Sequence, residues 1–322
     1  MTNYRWGIVG LGRIAHNFAT FFPNTQTLYG VAARDQTRAA AFAKQFNVPK
    51  TYPDYASLFA DPDIDIVYVA TTHNFHYENI KAALLAGKHV FAEKTITLNA
   101  RELAELIAIA KQRHLILMEA QTIYHMPLYP ALDAAVKDFG RLRTIQVAFG
   151  INATDPKDRL LNPDLAGGAL LDIGIYALSF VRRLMSATPK LVATQMTRSA
   201  TGVDDQSSFL LTNADGQQAT VVLNLQAQMP KVGMAAYDRG YVQISEYPRA
   251  DHATIAVTGS EPTTLSAGDQ HHAMAYEIND MAQAVDTGDN PTLAWTYDTA
   301  VIMSQAREAW GFYYPNEQAP LV

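Results

Sequence analysis

The sequence predicts an α/β protein in two parts: an N-terminal doubly wound parallel sheet, then an α+β part with a large, mostly antiparallel open sheet. Three observations predict it. Short apolar runs alternate with helical patterns over the first third of the chain. A glycine-rich turn separates the first run from the first helical pattern. Beyond about residue 120 the pattern changes to the two-residue alternation of half-buried strands.

Arg5–Val9, Leu28–Ala32, Ile66–Ala70, His89–Ala92 and Leu115–Glu119 read as buried strands. Helices are expected between them near Ile14–Phe21, Arg38–Phe46, His76–Ala86 and Ala100–Arg113. The last carries a start signal, because Asn99 can cap it and Glu102 stands three residues on. Strand–helix alternation implies right-handed crossovers and a sheet covered on both faces. In the second part Ile145, Val147, Phe149 and Ile151 alternate with other residues, as do Ala219, Val221, Leu223 and Leu225. Asp215-Gly216 suggests a hairpin turn just before the second of these runs. Two helices, Gly174–Leu184 and Met274–Val285, are expected to accompany this antiparallel sheet, and a last helix near Tyr297–Trp310 stops at Gly311. The boundary falls near residues 121–125, giving expected domains 1–122 and 123–322.

Composition narrows the function classes. Hydrophobic residues make up 48% and charged residues 17%, which suits a chain that buries real cores. The net charge is −6 and no long basic run exists, so nucleic acid and anionic membranes are not expected partners. The absence of cysteine removes disulfides, thiolate chemistry and cysteine-bound metal together. The nine histidines lack metal-ligand spacing, and adjacent His271 and His272 cannot share a helix face, so no metal is expected. No basic-then-apolar leader opens the chain, and no apolar stretch is read as reaching the ~18 residues of a membrane span. A cytoplasmic location is the expectation.

Gly10-Leu11-Gly12-Arg13-Ile14-Ala15 directly follows the first strand and fits G-x-G-x-x-A. Gly10 permits the tight turn, Gly12 lets backbone approach a pyrophosphate, and Ala15 lets helix and strand pack closely. The helix start then offers free N–H groups and a positive dipole end to phosphates. Strand, turn and helix in this order are those of a Rossmann domain, and a dinucleotide is the expected cofactor. The second strand ends Ala32-Ala33-Arg34-Asp35, with Arg38 one turn on. Arg34 and Arg38 suit a 2′-phosphate and favour NADP; Asp35 leaves NAD open. Both arginines also fit a plain solvated surface.

Glu93-Lys94 follows the fifth strand, at the carboxyl edge of the sheet where ligands bind in such folds. The second segment of interest runs from Gly167-Gly168 through Asp172 to Tyr176. A helix starting near Asp172 places Asp172 and Tyr176 on one face. Oxidising a secondary alcohol needs a hydride acceptor and a base for the hydroxyl proton. Tyrosine titrates near ~10 and is a poor base at neutral pH, but a nearby ammonium such as Lys94 lowers that value. Asp172 can bond a substrate hydroxyl or orient Lys94. Read singly, Tyr176 also fits a core aromatic, Asp172 a helix cap and Lys94 a surface charge.

Together these segments resemble the glucose-fructose oxidoreductase, inositol dehydrogenase and MocA (Gfo/Idh/MocA) family along nearly the whole chain. The resemblance includes Ala86–Lys94, Gly202-Val203-Asp204-Asp205 and Tyr313-Tyr314-Pro315. It implies that Lys94, in the family's E-K-P position, is catalytic. Tyr176, with Thr71, His73 and His76 in a T-x-H-x-x-H pattern, resembles the dimeric dihydrodiol dehydrogenase branch, which includes NADP-dependent D-xylose dehydrogenases. There the tyrosine is the expected acid/base, and His73 and His76 lie near the cofactor; His76 fits a structural role equally. Thr95 stands where the motif has proline, and Gln121–Pro127 replaces the branch's tryptophan–threonine–arginine stretch. His125 in that segment is a candidate substrate contact. The resemblance implies a sugar, cyclic polyol or dihydrodiol substrate and a homodimer or higher homo-oligomer. Two rivals stand beside the enzyme: a non-catalytic dinucleotide sensor, such as the family's galactose-pathway repressor, and a binding module that uses the open sheet for partners. Retention of Lys94, Asp172 and Tyr176 favours the enzyme.

Overall fold

The computed structural model describes all residues except 154, 156, 157 and 316. The chain divides into two compact units, Met1–Gln121 with Met274–Ala294, and Thr122–Ala273 with Trp295–Val322.

The first unit holds strands β1 (Arg5–Val9), β2 (Thr27–Ala32), β3 (Lys50–Tyr52), β4 (Ile66–Val69), β5 (His89–Glu93) and β6 (Leu117–Ala120). Helices α1 (Arg13–Thr20), α2 (Gln36–Phe46), α3 (Tyr55–Ala60), α4 (His76–Leu85) and α5 (Ala100–Gln112) connect them. All pairs are parallel, in the order β3-β2-β1-β4-β5-β6. The order reverses between β1 and β4, which opens a ligand crevice at the carboxyl edge. Strands β1, β4 and β5 are almost wholly buried, as expected of continuous apolar runs covered on both faces. Trp6, Phe18, Tyr68 and Phe91 form the aromatic centre of the core, with Phe18 stacked on Tyr68 at 3.9 Å between centroids. Asn99 caps α5 as expected, accepting from the Glu102 N–H at 2.9 Å, while the Glu102 carboxylate accepts from the Leu98 N–H at 3.3 Å.

The second unit begins with α6 (Leu128–Ala135) and is built on β7 (Leu142–Asn152), β8 (Lys190–Arg198), β9 (Asp204–Thr212), β10 (Gln218–Asn224), β11 (Gln226–Tyr237), β12 (Gly240–Ser245), β13 (His252–Val257) and β14 (Thr263–Ser266). Their order is β14-β13-β12-β11-β7-β10-β9-β8. Every pairing is antiparallel except β10 with β7. Ile145, Val147, Phe149, Ala219, Val221 and Leu223 all point into the covered face, as their alternation predicts. The hairpin between β9 and β10 turns at Gly216, φ +74°. Helix α7 (Ile175–Leu184) lies on the covered face, and Gly174 just before it touches the sheet so closely that a Cβ would stand 2.6 Å from Leu223.

Three expectations need correction. The helix over Met274–Val285, α8 (Ala273–Thr287), does not accompany the antiparallel sheet: Met274, Ile278 and Met281 are buried in the core of the first unit. Tyr4 donates to Asp286 at 2.8 Å, and Asn290 donates to the Leu117 carbonyl at 2.7 Å. Its periodicity shows that one face is buried, not against what. Second, the helical stretch Pro163–Leu184 is 22 residues long and apolar enough to span a membrane by length and composition. Most of it is buried inside the second unit, as a core helix is. Third, the turn holding Asp172 is a π-helix over Leu170–Gly174 that leads into α7. Its i→i+5 bonding widens the register, so the four-residue rule for a shared face does not carry over unchanged. The last helix, α9 (Leu293–Ala309), is followed by Gly311 at φ +59°.

Candidate active site

In the first unit the carboxyl ends of β1, β2, β4 and β5 place the glycine turn, Arg34, Thr71 and Lys94 along one sheet edge. Gly10 has φ +88°, and a Cβ on it would stand 2.8 Å from the Ala70 carbonyl and the Thr71 nitrogen. Only glycine meets both demands. Gly12 differs: a Cβ there would meet nothing within 4 Å. It opens α1 with no side-chain cap and no acidic residue in the first turn, so the N–H groups at Arg13 and Ile14 start a helix open to an anion. Ala15 is fully buried against the strand. A pyrophosphate fits a turn of this kind.

The three side chains beyond β2 divide their roles. Asp35 caps α2, its carboxylate accepting from the N–H of Thr37 at 2.8 Å and Arg38 at 3.4 Å. Arg38 reaches back to donate to the Leu11 carbonyl in the glycine turn at 2.8 Å. Arg34 is exposed, with its guanidinium 5.8 Å from the centre of the Phe75 ring. The acidic side chain thus serves the helix, while the Arg38 guanidinium reaches the glycine turn and that of Arg34 lies by the Phe75 ring.

Lys94 is half-buried at the end of β5, and the Lys94–Thr95 peptide is cis. Three side chains hold this loop by its backbone. His73 Nε2 lies 3.1 Å from the Lys94 carbonyl oxygen. His76 is fully buried, with Nδ1 2.9 Å from the Thr95 carbonyl oxygen and Nε2 2.9 Å from that of Thr71. Glu119, also buried, accepts from the Ile96 N–H at 3.0 Å. Burial lowers the His76 pKa, against the pull of these carbonyl groups; the neutral ring carries a single N–H and donates to one of the two at a time. The His76 ring thus sits between the backbone of the loop after β4 and that of the loop after β5. Glu93 accepts from the Tyr68 hydroxyl.

In the second unit Gly167–Tyr176 carries the other two candidates. Asp172 is 9% exposed and forms an ion pair with Arg159 at 2.7 Å. Tyr176 is half-buried, its ring 6.2 Å from that of Phe149. The buried Tyr247 ring lies 6.4 Å from the same Phe149, and the Tyr176 side chain contributes to holding the Tyr247 pKa high, after burial itself. His125 is 6% exposed, following the single turn Thr122–Tyr124. Asp172, Tyr176 and His125 thus belong to one unit and Lys94, His73 and His76 to the other. Sequence reasoning missed Arg159 and Glu119. Glu119 had a visible signal, an acid ending a buried strand; Arg159, in a segment without periodicity, had none. Among the described residues no group of three His, Asp or Glu side chains is placed to hold a metal ion.

Comparison with known proteins adds three findings. Residues 4–121 match the model of an oxidoreductase family with an NAD-binding Rossmann fold, and residues 134–261 match the Gfo/Idh/MocA C-terminal domain. The chain is 32% identical to trans-1,2-dihydrobenzene-1,2-diol dehydrogenase of Sus scrofa over 98% of its length and 99% of that protein. The human protein of the same name is 30% identical over the same shares. Among solved structures, a 3-ketoreductase from Actinomadura kijaniata in complex with NADP and TDP-benzene superposes with a TM-score of 0.85 at 26% identity, covering 95% of this chain and 98% of that one. A levoglucosan dehydrogenase in complex with NADH and levoglucosan shares the fold, with a TM-score of 0.84 at 21% identity, covering 96% and 98%.

Proposed function

Since the chain belongs to the Gfo/Idh/MocA oxidoreductase family, we propose that it is an NADP-dependent dehydrogenase interconverting a secondary alcohol and a ketone on a small ring with neighbouring hydroxyls. A dihydrodiol, a cyclic polyol or a sugar has this chemistry. The observation that carries the reading is the carboxyl edge of the first sheet. There the uncapped start of α1 and Lys94 stand at the ends of β1 and β5, with only β4 between those strands. The names of the dihydrodiol dehydrogenases and of the 3-ketoreductase support the substrate class, and the latter's NADP supports the cofactor.

Gly10, Gly12, Arg13 and Ile14 receive the pyrophosphate, Arg34 and Arg38 the 2′-phosphate; NAD is the rival, with the ribose set against Asp35. Thr71, His73, His76 and Glu93 shape the loops beside the nicotinamide. When bound, that ring supplies a hydride acceptor or donor. Tyr176 takes the proton of the reacting hydroxyl and passes it to solvent; in the reverse direction it returns it. Lys94 supplies positive charge to the reacting oxygen, and a cation there favours the deprotonated state the base needs. Asp172, partnered by Arg159, accepts from a second substrate hydroxyl, and His125 contributes a polar contact. The domain expected over 1–122 thus serves the cofactor, and that over 123–322 the substrate and self-association. The exposed apolar side chains Val192, Leu210, Val222, Tyr241 and Val257 on the second sheet support a homodimer. A cytoplasmic location completes the reading, as befits an enzyme drawing on a cellular dinucleotide pool.

The test is absorbance at the nicotinamide band with NADP and a panel of trans-1,2-dihydrobenzene-1,2-diol, aldoses and inositols. Turnover on one member, reduced about 10²–10⁴-fold by Tyr176→Phe and abolished by Lys94→Ala, is the expected result. Unchanged rates in both variants would remove these residues from the reaction.

A further inference from the structure

Two motifs have no part in the dinucleotide site: Gly202-Val203-Asp204-Asp205 and Tyr313-Tyr314-Pro315. Both meet the chain at Gly167–Leu170. Asp204 opens β9 and is fully buried. One carboxylate oxygen accepts from the Leu170 N–H at 2.7 Å. The other faces Gly168, where a Cβ would stand 2.1 Å from it. Gly168 also has φ +126°, so both its conformation and its closeness to Asp204 exclude a side chain. Tyr314 is buried, and its hydroxyl donates to the Gly167 carbonyl at 2.6 Å. Arg307 of α9, fully buried, sets its guanidinium 4.4 Å from the centre of the Tyr314 ring and pairs with Glu317. Glu317 accepts in turn from the Tyr314 N–H at 2.8 Å.

The grip therefore closes on four residues that run directly into the π-helix bearing Asp172 and on to Tyr176. Burial pushes the Asp204 pKa up to about 7, with Asp205 adding to the rise; the Leu170 N–H, the charge of Arg307 and its own N–H oppose it. Among the described residues Tyr314, Glu317 and Asp172 also titrate around this knot, with Arg198 paired opposite Asp204 on β8 and Arg159 on Asp172. A carboxylate accepts an N–H bond about twice as strongly as a neutral acceptor does.

We propose that Asp204 is a positioning residue: its charged form draws in the Leu170 N–H and fixes the Gly167–Tyr176 segment, and its protonated form, with the proton taken from solvent, loosens it. Tyr314 is the pH-independent half of the same grip. The inference rests on the reading of Asp172 and Tyr176 as reacting groups, but its first measurement does not.

That measurement is amide hydrogen exchange over Gly167–Tyr176 in the full chain at pH 6 and pH 8, corrected for the intrinsic rate, for the unaltered protein, Asp204→Asn and Tyr314→Phe. The unaltered protein is expected to protect Leu170 at least several-fold better at pH 8. Asp204→Asn, which still accepts the bond without charge, loses that difference; Tyr314→Phe keeps it at lower overall protection. With NADP and trans-1,2-dihydrobenzene-1,2-diol, kcat should show a near-neutral inflection that Asp204→Asn removes while KM stays within about twofold. Protection that does not change with pH in the unaltered protein, or that changes equally in Asp204→Asn, overturns the inference. Absence of turnover on this diol counts against the proposed substrate and leaves the exchange result to decide.

Discussion

Arg34 and Asp35 are neighbours in sequence but face different tasks. Asp35 is committed to the start of α2, whereas Arg34 stands exposed with its guanidinium 5.8 Å from the centre of the Phe75 ring. Arg34→Ala is therefore expected to weaken NADPH binding about tenfold or more and leave NADH unchanged, measured by fluorescence titration; equal losses would contradict the 2′-phosphate role. His76 makes a different prediction. Its folded pKa is lowered by burial, so the stability it contributes is present above its unfolded pKa of about 6.5 and is lost as pH falls through the folded value. Urea unfolding at pH 5.5 and 7.5 should show a loss on acidification that is smaller in His76→Gln. The sequence named His76 but not its task, because the ring's partners, Thr95 and Thr71, are backbone carbonyl groups brought close only by the parallel sheet. Arg159 and Asp172 show the same limit: each residue type is visible, and their pairing is a product of folding.

At the scale of elements, legibility follows length and pattern. The long apolar runs of β1, β4 and β5 are read within a residue or so of their ends. The three-residue β3 and six-residue α3 are missed, since neither is long enough to show a period. Local capping chemistry reads well: Asn99 accepts from Glu102 as the motif predicts. Asn99→Ala should cost about 1 kcal/mol of stability, read as a lower urea midpoint at unchanged slope; no shift would mean that the cap is redundant with the packing of α5. The π-helix at Leu170–Gly174 was not legible. Nothing in a run of apolar residues says that one extra residue is accommodated per turn, nor that Asp204 and Tyr314, from distant parts of the chain, bond to Leu170 and Gly167 at its start.

At the scale of the whole molecule, the fold class and the family resemblance were legible and the assignment of α8 was not. Amphipathicity states that a helix must be covered; the identity of the cover is a long-range choice, made here by the first unit's core. The open face of the eight-stranded sheet poses a similar question, and our reading of it as a dimer face predicts twice the chain mass by sedimentation equilibrium. A Leu210→Lys, Val222→Lys double variant should shift that mass towards the monomer; an unaltered protein that sediments as a monomer would contradict the reading. The central claim is nearer to the glycine turn. Its most direct test is titration of the purified chain with NADPH and with NADH, followed by nicotinamide fluorescence. The account predicts saturable binding of both with NADPH the tighter, and loss of both when Gly12 is replaced by a bulky residue. No binding of either dinucleotide would contradict it.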